Sequence, residues 1–190
     1  ELRFLVFVVS TLAHSVMASC GRLRTATSIF KGKRLRGVGY NGSLPGHKHC
    51  DEVGHLMIDG HCLRTRHGVK NALSNTPEQF KQGGEAIVLG TPCILCVQDL
   101  IHEGIKVIHY LGEYKNARGG EEIRSIADQA GVALKQHNID WQEQLQTLCD
   151  LLARGHGGGS TRTPPSMVDG ATASAGGVGC TAEPGRRPHG

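Results

Sequence analysis

Apolar residues recur at Leu5, Val8, Leu12 and Val16, a spacing of three and four that predicts a helix over 3–18 with this stripe turned to a core. The period then shortens. "TATSIF" (25–30) and "LRGVGY" (35–40) each have strand length around a Gly-Lys turn at 31–34, which predicts an antiparallel hairpin. Residues 41–62, "NGSLPGHKHCDEVGHLMIDGHC", place Gly, Pro, Asn and Asp at turn positions with no sustained period. They read as one long loop, and a loop of that length inside a compact domain is usually functional or held by something.

A helix is predicted from about 65 to 75 with Thr65 as N-cap. "EAIVLGT" suits a buried strand, and "PCILCVQDLIHEGI" reads as a helix with Pro92 at its first position and Gly104 at its end. "KVIHYL" is a further strand. "GGEEIRSIADQAGV" is an amphipathic helix with Ile123, Ile126, Ala127 and Ala130 on one side, and "ALKQHNI" is a last short strand. Trp141, Leu145, Leu148 and Leu152 then recur at helical spacing, which predicts a terminal helix covering the sheet. A hairpin followed by alternating strands and helices gives an α/β layered domain whose later strands are parallel. No internal repeat is present.

Composition adds a boundary. A chain of 190 residues with 38% hydrophobic content supports one domain and an appendage. Glycine, at 27 residues, is about double average usage, and about ten of those lie after residue 154 with four of the seven prolines. The expected organisation is a folded domain at 1–154 and a disordered Gly/Pro/Ser-rich tail at 155–190. The net charge of +4 is modest and demands no nucleic-acid partner; the "KGKRLR" run at 31–36 falls on the hairpin turn.

The opening run, "ELRFLVFVVSTLAHSVMASC", is read as a helix packing on the sheet, with a secretory or lipoprotein signal as the competing reading. No stretch reaches the roughly 20 apolar residues of a membrane span, so no membrane partner is expected. Seven cysteines at irregular spacing, with eleven histidines, favour metal ligation in a reducing, cytoplasmic compartment over disulfides.

Cys93 and Cys96 are one helical turn apart at a helix start, where the positive end of the helix dipole favours thiolate and hence metal binding. Alone, the pair also fits a redox dithiol or half of a structural zinc site. His67, about 26 residues upstream and near another helix start, supplies a third ligand. Three protein ligands with a fourth position open is the catalytic form of zinc site, whereas four close a structural one. A histidine followed by Pro-Cys-x-x-Cys is the ligand order of zinc deaminases.

Several motifs in order carry a wider resemblance: "CGR" at 20–22, "GYNGSLPGHKHC" at 39–50, "GHCLRTRHGVKNAL" at 60–73 and "GTPCILCVQDLIHEGIKVIHY" at 90–110. Over roughly residues 5–140 the chain resembles the deoxycytidylate (dCMP) deaminase branch of the cytidine deaminase-like superfamily. The resemblance implies a three-layer α/β/α sandwich with a mixed central sheet of about five strands, a homo-oligomer, and hydrolytic deamination of dCMP to dUMP. By it, His67, Cys93 and Cys96 hold a zinc ion that activates water, and Asn41 and Gly42 contact a pyrimidine deoxynucleotide. Read without it, Asn41 and Gly42 are a plain Asn-Gly turn after the second strand.

The same stretch departs from the family. Two positions after the zinc histidine, where the family has a glutamate that moves protons between water, ring nitrogen and leaving ammonia, this chain has Val69. Valine neither accepts nor donates a proton, and general acid–base catalysis is worth about 10²- to 10⁴-fold. Glu85, Asp51 and Glu52 are the carboxylates considered as substitutes, and none has the reach that the Val69 position has by construction. The implied protein is therefore either a dCMP deaminase or a zinc- and nucleotide-binding pseudoenzyme.

Polar Thr27 and Ser28 in the first strand are a second irregularity. Some members of the branch use cysteines matching Cys20 and Cys50, with histidines, for a structural zinc. Here Cys20, Cys50, His55 and His61 are the candidates, with Cys62 beside them. Cys149 and Cys180 stand apart, one on the terminal helix and one in the tail.

Overall fold

The computed structural model describes residues 2–112 and 120–155. The expected tail, with Cys180, lies outside the described residues. The chain divides into two compact units, 1–149 and 150–190, and of the second only the turn of helix at 150–155 is described.

The first unit is built on a five-stranded mixed sheet of β1 (Ala26–Lys31), β2 (Arg34–Tyr40), β7 (Glu85–Leu89), β8 (Val107–Leu111) and β9 (Ala133–His137), in the order β2-β1-β7-β8-β9. The β1–β2 hairpin forms because Gly32 and Lys33 both take positive φ (58° and 61°), the turn whose twist matches that of its strands. β1 also runs antiparallel to β7, while β7, β8 and β9 are parallel, each joined to the next by a helix crossing one face.

Strand alternation sorts the side chains. Ile29, Ala86, Val88, Ile108 and Tyr110 face a core shared with α3 (Gly68–Ser74), α5 (Ile94–His102) and α6 (Gly120–Gln129). Phe30, Ile87 and Leu111 face the other way, onto Val8 and Phe7 of α1 (Leu2–Ser15). Helix, sheet and helices make the three-layer α/β/α sandwich.

The structure turns α1 differently from its apolar stripe. The buried positions are Val8, Thr11 and Ser15, with Phe4 and Phe7 packed beside them, and Val16 lies beyond the helix at 70% exposed. Aromatic bulk decides the orientation: Phe4 lies against the rings of His109 and His137, with centroids 4.8 and 4.9 Å away. Thr11 is tolerated in this interface because its hydroxyl bonds the Phe7 carbonyl and, at 2.6 Å, the hydroxyl of Ser28. The polar residues of "TATSIF" are thus matched by a polar residue on the helix above them.

The terminal helix α7 (Trp141–Gly155) is present, and the predicted covering positions described within the first unit are only partly buried. Leu145 is 43% exposed and Leu148 only half-buried. Helical periodicity fixes which side chains share a face and says nothing of whether that face is met.

The 41–62 region holds more order than expected: β3 (Gly42–Ser43), a short helix α2 (Cys50–Val53), and a hairpin of β4 (Met57–Ile58) and β5 (His61–Cys62). Asp59 and Gly60 take positive φ (48° and 76°) at its tip, so "IDGH" is a two-residue hairpin turn in an apparently structureless stretch. A further short helix, α4 (Glu78–Lys81), precedes β7.

Candidate metal centre

His67 and Cys93 occupy equivalent places, each the N-cap of a helix that begins at the next residue. His67 (φ −64°, ψ 144°) precedes α3, and Cys93 (φ −73°, ψ 162°) precedes α5. Thr65 is therefore not the cap. Thr65 and Arg66 stay extended as β6 because they pair with β3, Gly42 opposite Arg66 and Ser43 opposite Thr65, which carries His67 to the helix mouth. Likewise Pro92 stands one residue before the cap rather than inside the helix. Cys96 follows one turn into α5 and is buried.

These three residues converge. His67 Nδ1 is 3.2 Å from Cys96 Sγ and 3.6 Å from Cys93 Sγ, and all three donor atoms lie within 4.8 Å of one another. Tetrahedral zinc with Zn–N near 2.0 Å and Zn–S near 2.3 Å sets such atoms roughly 3.6 Å apart, so the residues fit a zinc ion by spacing as well as by donor type. The electrostatics agree. The hydrogen bond from Cys96 brings the Cys93 thiol down to about 4 against the opposing effect of burial, with His67 assisting. The same bond and burial push Cys96 up, and the bond to Cys93 raises His67. One thiolate is thus ready at the helix mouths.

A cavity of about 460 Å³ opens over this cluster, a volume ordinary for a small-molecule site. Asn41, Val69 and the hairpin tip at Asp59 contribute to its wall along with His67, Cys93 and Cys96. Val69 is 3% exposed and joins the core behind the cavity. Among the described residues lining the cavity, Asp59 is the only carboxylate. Of the carboxylates weighed from sequence, Glu85 bonds His109 at 3.1 Å and Glu52 accepts from the backbone N–H of His49 at 2.6 Å, closing the start of α2. None of Glu85, Asp51 and Glu52 lines the cavity. Asn41 lines it with its amide already engaged, Oδ1 by the N–H of Gly68 and Nδ2 by the carbonyl of Leu23; Gly42 is buried in β3.

A second group forms where the 41–62 region meets the segment after α1. Cys20, Cys50, His55 and Cys62 place their donor atoms within 4.8 Å of one another, with Cys20 Sγ 3.7 Å from His55 Nδ1 and Cys50 Sγ 3.6 Å from Cys62 Sγ. Four donors of this kind match a closed, structural zinc site. His61, the neighbour of Cys62 on β5, lines the cavity without joining the group, as adjacent strand residues turn their side chains apart. That alternation was legible in "IDGHC" once its Asp-Gly was taken as a hairpin turn. Burial and the bond to Cys62 push Cys50 up to about 12. At Cys62 burial is outweighed by hydrogen bonds from the Arg64 backbone, Cys50 and His55, which leave it near 6. Cys20 and Cys62 also border the cavity, so both clusters share one wall.

No family model matches the chain. ComE operon protein 2 of Bacillus subtilis (strain 168) is 35% identical over 136 residues, which is 70% of this chain and 70% of that protein. Among solved structures, dCMP deaminase from the cyanophage S-TIM5 in complex with dCMP and dUMP superposes with a TM-score of 0.58 at 22% identity, over 70% of this chain and 94% of that one. A diaminohydroxyphosphoribosylaminopyrimidine deaminase/reductase from Thermotoga maritima gives 0.53 at 15% identity, over 78% of this chain and 39% of that one. The fold they share with this chain is the cytidine deaminase-like sandwich.

Proposed function

The chain belongs to the family of ComE operon protein 2, in the dCMP deaminase branch of the cytidine deaminase-like superfamily, and on that premise we propose that it is a zinc-holding, pyrimidine deoxynucleotide-binding protein disabled for deamination at Val69. The observation that supports this most directly is the meeting of His67, Cys93 and Cys96 at the mouths of α3 and α5, under a cavity of nucleotide size whose wall at the family's glutamate position is a valine. Zinc held there supplies a Lewis acid that activates water.

The residues of the chain do the rest. Cys93 offers a preformed thiolate, His67 a ring nitrogen, and Cys96 a second sulfur that gives up its proton on metal binding. Val69 presents only methyl groups to the place where a proton must be taken and returned. Cys20, Cys50, His55 and Cys62 would hold a second zinc, tying the 41–62 region, and with it the cavity wall, to the segment after α1.

The experiment is a paired one on the full chain: zinc content with calorimetric dCMP binding, and ammonia release from dCMP. Zinc and saturable dCMP binding without ammonia above background are expected. Robust ammonia release by the wild type would overturn the disabled reading and make Asp59 the carboxylate to replace next. Absence of zinc would remove the metal reading itself.

A further inference from the structure

We infer that Asn41 is a positioning residue that seats His67 by capping the first amide of α3 and joins that seat to the segment carrying Cys20. The inference rests on the zinc reading proposed above. It departs from the ligand contact that family resemblance implies for Asn41.

The argument begins with Gly68, the first residue of α3. The first four amides of a helix have no acceptor within it, and the usual remedy is the side chain of the N-cap residue. Here the N-cap is His67, which makes no side-chain cap bond, and whose ring nitrogen instead faces Cys93 and Cys96. A residue needed as a ligand is not free to cap. Asn41 satisfies one of the four from outside: its Oδ1 accepts the Gly68 N–H, the first of them and one that an N-cap side chain does not ordinarily reach, at 2.7 Å in a buried bond.

The rest of Asn41 is equally engaged. Its Nδ2 donates to Leu23 O at 3.2 Å, its own N–H donates to Thr25 O at 3.1 Å, and its carbonyl accepts from Ser19 N at 3.1 Å. Three of these four bonds go to residues 19–25, the stretch that places Cys20. The fourth goes to the residue next to His67. The side chain thus holds the amide beside His67 and ties it to Leu23, while the main chain of the same residue holds Ser19, beside Cys20. Asn71 reinforces it, its Nδ2 bonding the Tyr40 carbonyl while its Oδ1 accepts from Arg66. Groups that orient metal ligands in this way are commonly worth 10- to 100-fold in metal affinity.

The two ends of the amide are separable by substitution. Asn41→Asp keeps an acceptor for Gly68 but loses the donor to Leu23, whereas Asn41→Ala loses both. Zinc affinity at His67, Cys93 and Cys96 is read by chelator competition in a Cys50→Ser/Cys62→Ser background, which leaves the second cluster only two donors, and the cobalt-substituted protein reports ligand geometry in its visible spectrum. Asn41→Ala is expected to weaken zinc about 10- to 100-fold with an altered cobalt spectrum, and Asn41→Asp to remain within about threefold of the parent with its spectrum. Equal affinities and spectra for Ala and parent, or an Asp variant as weak as Ala with its fold intact, overturn the inference. Amide exchange in the unsubstituted protein tests the bond without a variant: Gly68 is expected to be protected like the core of α3, and exchange at the rate of an open helix end overturns it. If the parent holds no zinc, the proposed function fails along with the inference. If it holds zinc indifferent to residue 41, the inference alone fails.

Discussion

Val69 stands two residues after His67 on the first turn of α3, and while His67 opens onto the cavity Val69 is buried at its wall in the core that also receives Cys96. A carboxylate at this position is beside the metal ligands by construction. Val69→Glu is therefore expected to release ammonia from dCMP at least about 10²-fold faster than the wild type, with Val69→Gln, equal in size but unable to move protons, remaining at wild-type background. Burying the glutamate without zinc lowers stability, since an unpaired buried charge is costly. The melting temperature of Val69→Glu should thus rise more on zinc addition than that of the wild type. Equal ammonia release by the Glu and Gln variants would reject the proton-transfer role.

The two clusters give a metal count. Zinc-reconstituted protein is expected to hold two ions per chain, and Cys62→Ser one. His61→Ala should still hold two, because His61 lies outside the group formed by Cys20, Cys50, His55 and Cys62. Elemental analysis after gel filtration checks all three. Loss of an ion from His61→Ala, with none lost from Cys62→Ser, would reverse the assignment.

Much of the fold was legible because alternation and helical period report burial directly. β1, β2, β7, β8 and β9 fall where their patterns predict, and α5 follows its Pro and Gly punctuation to within a residue or two. Boundaries set by tertiary pairing were not legible: the start of α3 shifts from Thr65 to His67 because β3 captures Thr65 and Arg66. The convergence of His67, Cys93 and Cys96 could be expected from their order and spacing. The second group was only half visible, since choosing Cys62 over His61 requires knowing that β5 is a strand. The buried face of α1 was misread because Thr11 counts as polar until Ser28 is placed beneath it.

That pairing yields a double-mutant cycle. Thr11→Val leaves the Ser28 hydroxyl buried without this partner, and Ser28→Ala does the reverse. Each single change is expected to cost about 1–3 kcal/mol, while the double change, which removes both polar groups, should cost less than the sum. Urea melts of the four proteins measure the coupling. Strict additivity would mean that the 2.6 Å contact contributes nothing of its own.

Gly39 brings β2 against α3 with no room for a side chain. A Cβ there would lie 2.1 Å from the amide nitrogen of Ala72 and 2.5 Å from the carbonyl oxygen of Gly68, both backbone atoms that cannot yield alone. Gly39→Ala must push α3 off the sheet and carry His67 with it. The expected result is a loss of more than about 3 kcal/mol of stability together with weaker zinc binding, beyond the usual range for overpacking because the clash is with backbone. Gly42→Ala, whose Cβ would meet nothing closer than 3.6 Å, is the control. A melting curve for Gly39→Ala superimposable on the wild type would show that the helix does not approach β2 this closely.

The last expectation concerns pH. His109 Nδ1 lies 2.9 Å from His137 Nε2, and His109 Nε2 lies 3.1 Å from Glu85, with both rings against Phe4. Burial lowers His109, opposed by Glu85 and assisted by His137 and Lys135; burial, then Lys135, lowers His137. Both rings thus bind protons less readily folded than unfolded. The stability they contribute is full above the ordinary histidine value of about 6.5, declines as pH falls below it, and is gone once pH has passed below the folded values. Two protonated rings cannot keep a bond in which one nitrogen must accept, so α1 is the element expected to loosen. Unfolding free energy measured from pH 7.5 to 4.5 should fall more steeply for the wild type than for His137→Gln, which removes one of the two titrating rings. Parallel profiles for the two proteins would exclude the histidine pair as the source of the slope.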